Sequence, residues 1–323
     1  MSTAPYHPVV FGPYKSRRVG QSLGVNPSPS PREGCPKDCV YCAGAEGASG
    51  PIINRVSQAP SAGVIVTSAA RRIIDMSKGG EKLACITVAG NNEPTMHPNM
   101  LEITENLRDL RNKWFPKAKL CLMSDYPFLD TPDLSHAIEI YDFPLLRFEW
   151  GSAKTFTALS GRPGTDLKKL VDFLGTLEHF IVQARFVQGG PENSSDKEVA
   201  AWIRKLQEIG PDSVQVMTID GKVKGKKLKP VTDAKLKAKT AEFREQLDNG
   251  ARAFVNSPRG VAFEGDRLGV SSIYAWFQSD FGGDDAGILA HLRTYAAPEL
   301  RTRLETVSKI DSHAYDWALA AVE

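Results

Sequence analysis

Residues 118–150, AKLCLMSDYPFLDTPDLSHAIEIYDFPLLRFEW, carry the pattern on which the fold turns. The apolar run Ala118–Met123 reads as a buried strand, Pro132–Ile140 as a helix and Leu145–Trp150 as a second strand. Upstream, Ser22–Asn26 and Leu83–Ala89 read as strands, with helical spacing over Val64–Ser77 and Met100–Trp114. Downstream, Asp166–Leu177 is helical, Phe180–Val187 a strand, and Ser194–Glu198 a helix start whose helix stops at Ile209-Gly210. Ser213–Ile219 is a strand and Val231–Leu247 a helix. Six strands separated by helices imply parallel neighbours, since parallel pairing needs a crossover connection. The fold class is therefore α/β, either a partial (β/α) barrel or an open doubly wound sheet. From Gly250 the pattern breaks. Residues 250–323 read as a C-terminal extension, with an aromatic patch (Tyr274, Trp276, Phe277, Phe281) that either fills a second core or closes the active site, and a helical tail from Pro298.

Composition narrows the class. The chain has 323 residues, 41% hydrophobic and 24% charged, which excludes a disordered or collagen-like protein. No apolar stretch reaches the roughly 20 residues that a membrane span needs. The first 20 residues lack a signal-peptide core, so a cytoplasmic location without membrane association is expected. Five cysteines are too sparse for a disulfide scaffold, and cytoplasmic thiols stay reduced. Three of them, Cys35, Cys39 and Cys42, fall within eight positions, and such a cluster points to metal. Cys85 and Cys121 sit in apolar runs and read as core thiols.

The cysteine segment, Cys35-Pro-Lys-Asp-Cys39-Val-Tyr-Cys42, has C-x3-C-x2-C spacing. Three thiolates this close can hold three corners of a four-iron cube, leaving one iron without a protein ligand. Structural zinc sites instead use two cysteine pairs or Cys/His pairs. The spacing, with an aromatic before the third Cys, resembles the signature of the radical SAM superfamily. Further stretches resemble its wyosine synthase-like Fe-S oxidoreductases: Phe11–Asn26 (FGPYKSRRVGQSLGVN), Ala89–Thr95 (AGNNEPT), Phe186–Gly190 (FVQGG), Asn193-Ser194 and Gly210–Gln215 (GPDSVQ). The resemblance covers roughly residues 11–248.

That resemblance implies a partial (β/α)6 TIM-type barrel over residues 1–249, preceded by an N-terminal segment and followed by the 250–323 extension. It implies one [4Fe-4S] cluster on Cys35, Cys39 and Cys42, with S-adenosyl-L-methionine on the open iron. An electron from a donor such as flavodoxin or ferredoxin would then give a 5′-deoxyadenosyl radical that abstracts a substrate hydrogen. The expected substrate is a small-molecule metabolite or natural-product intermediate. The alternatives are a wyosine-like tRNA base modifier and, in another class, a non-catalytic metal-binding interaction module.

Cofactor contacts are expected from Tyr41, Gly90, Asn91, Asn92, Glu93, Ser124, Glu149, Gln183, Arg185 and Met217. Gly90 would let the backbone approach the ligand, and Glu93 would bond the methionine ammonium or else be a solvated loop carboxylate. Tyr41 would cover adenine or pack beside the cluster. Alternate side chains of a barrel strand point inward, so Arg147, Glu149 and Gly151 should share a face, as should Gln183 with Arg185. Opposite charges in a barrel interior are costly unless paired with each other or with a ligand. Arg17, Arg18, Arg147 and Asp220 are substrate candidates, and no catalytic residue is assigned. Residues 221–240 hold eight lysines (222, 224, 226, 227, 229, 235, 237 and 239) against Asp233 alone, within a chain of net charge +2. This segment is either a solvated basic loop or an RNA contact.

Overall fold

All six expected strands are present, and they lie side by side in the order of the chain. A computed structural model describes residues 8–16, 19–28, 40–41, 59–90, 92–219 and 227–314. Arg17, Arg18, Cys35, Cys39, Cys42, Asn91 and Asp220 lie outside the described residues, as do Lys222, Lys224 and Lys226. An N-terminal strand, β1 (Val10–Ser16), pairs antiparallel with β2 (Gly20–Val25). From β2 the sheet runs through β3 (Cys85–Val88), β4 (Lys119–Ser124), β5 (Phe143–Arg147), β6 (Ile181–Gly190) and β7 (Ser213–Thr218). Every neighbouring pair from β2 to β7 is parallel. A doubly wound sheet reverses strand order at a switch point. This sheet does not, and its sequential order is that of a partial barrel.

The crossovers are helices α1 (Ala62–Lys78), α2 (Met100–Trp114), α3 (Leu134–Glu139), α4 (Ala153–Ser160), α5 (Asp166–Leu174) and α6 (Asp196–Ile209). In α1 the Ser61 hydroxyl accepts the Val64 amide, and Ile65, Ala69, Ile73 and Met76 form the buried stripe. The strand residues Leu23, Ile86, Leu120, Leu122, Leu146, Val182 and Ala184 are fully buried. Cys85 and Cys121 are buried and pack with Leu145, Met123 and Ile181. Besides β1, two elements depart from expectation. Helix α4 lies between β5 and α5, started by the Ser152 hydroxyl on the Thr155 amide and ended by Gly161 at φ +71°. Strand β8 (Lys227–Pro230) pairs antiparallel with the end of β6.

The chain divides into two compact units, Met1–Leu236 and Lys237–Glu323. Helix α7 (Asp233–Val255) starts in the first and continues into the second, past the expected end at Leu247. The second unit has a small sheet, β9 (Val261–Glu264) antiparallel to β10 (Arg267–Ser271), with β11 (Ser312–Ala314) parallel to β10. Its helices are α8 (Ile273–Trp276), α9 (Asp285–Tyr295) and α10 (Pro298–Glu305). Val255, Leu268, Tyr274, Ile288, Leu292 and Leu304 form its core. The aromatic patch is thus core only in part: Tyr274 is buried, but Trp276 and Phe277 are 56% and 53% exposed. No helix among the described residues is long and apolar enough to cross a membrane.

Candidate functional site

Most of the expected site residues that are described lie at the C-terminal ends of β3, β4 and β5 and along β6, in two groups. The first surrounds Glu93, which follows β3 and is buried. Its Oε1 accepts the Ser124 hydroxyl at 2.6 Å and the Thr95 hydroxyl at 2.8 Å. Its Oε2 accepts the amides of Asp125 and Tyr126, each at 3.0 Å. Charge-assisted bonds of this kind are the strong ones. Glu93 is therefore not a solvated carboxylate; it ties the end of β3 to the turn that follows β4. Ser124 is engaged in the same tie. Asn92 donates to the Ser28 carbonyl at 3.2 Å. A Cβ on Gly90 would overlap Asn26 Oδ1, so this glycine accommodates a protein side chain. Asn26 is fully buried and accepts the Ser28 amide at 3.1 Å.

The second group surrounds Glu149, just past β5 and fully buried. Its Oε2 accepts the Arg185 amide at 2.8 Å and lies 3.8 Å from Arg147 Nε. Among the described residues its Oε1 finds no hydrogen bond of ordinary geometry, although the Tyr41 hydroxyl lies beside the carboxylate. Burial pushes the Glu149 carboxyl up, and the Arg147 and Arg185 charges pull it partly back. Arg147 also reaches Asp125 Oδ1 at 2.6 Å, so the expected Arg147–Glu149 pair is a three-membered chain. The Tyr41 ring meets both guanidiniums, with Arg185 Cζ 4.7 Å and Arg147 Cζ 5.8 Å from its centroid. Burial, then the Glu149 charge, pushes the Tyr41 phenol up. Val40 donates its amide to Leu159 O at 3.0 Å, at the end of α4.

Other expected members are placed less centrally. Gln183 donates to Gln215 Oε1 at 3.1 Å, and half-buried Met217 is register partner of Arg185. Gly151 leaves the expected face: a Cβ there would strike the backbone of α6, and its amide bonds Glu198 Oε1 at 2.7 Å. The strand ends at Arg147, so its alternation does not extend to Gly151. Two residues without an expected role complete the arrangement. Asp125 holds Arg147. Asn193 is fully buried and donates to the carbonyls of Glu149 at 3.0 Å and Arg185 at 2.9 Å, while accepting the Val187 amide at 2.8 Å. It pins the chain after β5 to β6.

Known proteins share this frame. No family model matches the chain. A UPF0026 protein of Helicobacter pylori (strain J99) is 23% identical over 218 residues, 66% of this chain and 67% of that protein. A UPF0026 protein of Methanocaldococcus jannaschii is 36% identical over 101 residues, 31% of this chain and 30% of its own. The structure of TYW1 with a lysine-pyruvate adduct bound superposes with a TM-score of 0.50 at 12% identity, covering 71% of this chain and 75% of that one. At 12% identity this superposition shows a shared fold. The α/β fold with its sequential parallel strands is the partial-barrel type expected from the sequence.

Proposed function

We propose that the chain is a cytoplasmic radical S-adenosylmethionine enzyme acting on a small-molecule metabolite. The observation that carries this reading is the placement of Val40 and Tyr41, the two residues between Cys39 and Cys42. Val40 bonds Leu159 and Tyr41 packs against Arg147 and Arg185, at the strand ends where the barrel's polar side chains collect. Cys35, Cys39 and Cys42 would hold a [4Fe-4S] cluster. When bound, the cluster and S-adenosylmethionine supply a one-electron cleavage to methionine and a 5′-deoxyadenosyl radical, which takes a hydrogen atom from substrate.

The residues in place suit such a cofactor. Glu149 Oε1 is a buried acceptor that no described residue reaches with a hydrogen bond of ordinary geometry, and an ammonium, ribose hydroxyl or adenine amine is a donor it would accept. Glu93 has no acceptor to spare, so its part is to fix the turn carrying Ser124 and Asp125. Arg147 and Arg185 place positive charge beside the ligand's path, and Asn193 holds the strand ends that carry Glu149 and Arg185. The Trp150, Phe156 and Phe148 rings pack behind them in edge-on contacts, which keeps water from that side. Anaerobic reconstitution with iron and sulfide tests the reading. Four irons per chain with visible absorbance that vanishes in Cys39→Ala would support it; a chain that retains no iron would end it.

One observation favours action on tRNA instead. In β8 the side chains of Lys227 and Lys229 are exposed while Leu228 is buried, so a basic edge flanks the end of β6 at the same rim. RNA binding that weakens steeply with salt and depends on these lysines would support that substrate.

A further inference from the structure

We infer that Arg147 and Arg185 are positioning residues that clamp Tyr41 and thereby seat the cysteine segment on the barrel, rather than serving only as ligand contacts. Tyr41 lies in a turn, and among the described residues its ring and hydroxyl contacts hold its side chain. Arg185 lies over the ring at 4.7 Å and Arg147 at 5.8 Å. The hydroxyl reaches the Arg185 carbonyl at 3.5 Å. Both arginines are themselves oriented: Arg147 by Asp125 and Glu149, and the Arg185 backbone by Glu149 and Asn193. A guanidinium over a ring attracts more strongly when shielded from water, and the Arg147 side chain is only 7% exposed. Val40, next in sequence, shows the result as a backbone bond to Leu159. The ring, more than the hydroxyl, makes the attachment, because both cations address its face.

The inference rests on the proposed cofactor only in giving the seat a purpose, and it is testable in iron-free protein. Hydrogen exchange of the Val40 amide in the full chain reads the seat directly, with β3 and β4 amides as the internal reference. Arg185→Gln and Tyr41→Leu should each speed Val40 exchange about tenfold, while Tyr41→Phe, which keeps the ring, exchanges as the parent does. Unchanged Val40 exchange in the first two variants overturns the clamp. So does equal acceleration in Tyr41→Phe, or acceleration spread evenly through β3 and β4. Iron loading is a separate readout: a parent chain that binds no cluster removes the proposed function but leaves the exchange result intact.

Discussion

Glu93 and Glu149 are both buried carboxylates at strand ends, yet their surroundings divide their roles. Glu93 spends its oxygens on Thr95, Ser124, Asp125 and Tyr126, whereas Glu149 keeps Oε1 without a bond of ordinary geometry among the described residues. Glu93→Gln should lower stability by about 1–3 kcal/mol in urea unfolding, because the amide turns a donor toward groups that themselves donate. Activity lost without stability would instead make Glu93 a ligand contact. Asp142 offers a pH test away from the site. Burial raises its carboxyl, but the Leu120 amide at 2.7 Å and Arg111 at 2.6 Å outweigh this and hold it below the usual range. The stability it contributes is present above the unfolded value of about 3.9 and is lost as pH falls through the folded value. Asp142→Asn should cost about 1 kcal/mol at pH 7, discounted for its partial exposure, and nothing near pH 2. At this scale the sequence located Arg147, Glu149, Arg185 and Tyr41 by strand alternation and resemblance. Asp125 and Asn193 were not legible, because their roles depend on contacts across strands distant in the chain.

The parallel strands were legible because each is a short apolar run between a helix end and a polar turn. Those that escaped lack that contrast. β1 contains Gly12-Pro13, which reads against a strand, and a register shift between Phe11 and Tyr14 accommodates it. β8 buries one residue of four and exists through its pairing with β6. Helix α4 had both signals, Ser152 before it and Gly161 after it, in a segment too short for its periodicity to stand out. The β6–β8 pairing makes a sharp prediction about neighbouring glycines. Gly189 sits at φ +108° and a Cβ would overlap the Lys227 carbonyl, whereas Gly190 has open space around it. Gly189→Ala should cost about 1–3 kcal/mol and free the β8 amides to exchange. Gly190→Ala should stay within about 0.5 kcal/mol.

Across the whole molecule, a near-neutral total conceals a basic segment, of which Lys227 and Lys229 lie on β8 at the rim of the sheet and Lys235, Lys237 and Lys239 on α7. If RNA is the substrate, Lys227→Ala with Lys229→Ala should flatten the salt slope of binding by about 0.7 for each phosphate the lysines neutralise. A small-molecule enzyme would show no such slope to change. Cleavage of S-adenosylmethionine can be tested apart from any substrate. The reconstituted chain is mixed anaerobically with S-adenosylmethionine and a strong one-electron reductant, and 5′-deoxyadenosine and methionine are quantified by chromatography. Equal amounts of the two, formed by the parent chain and absent from Cys42→Ala, are the predicted result. A chain that carries its full cluster yet leaves S-adenosylmethionine intact would contradict the account.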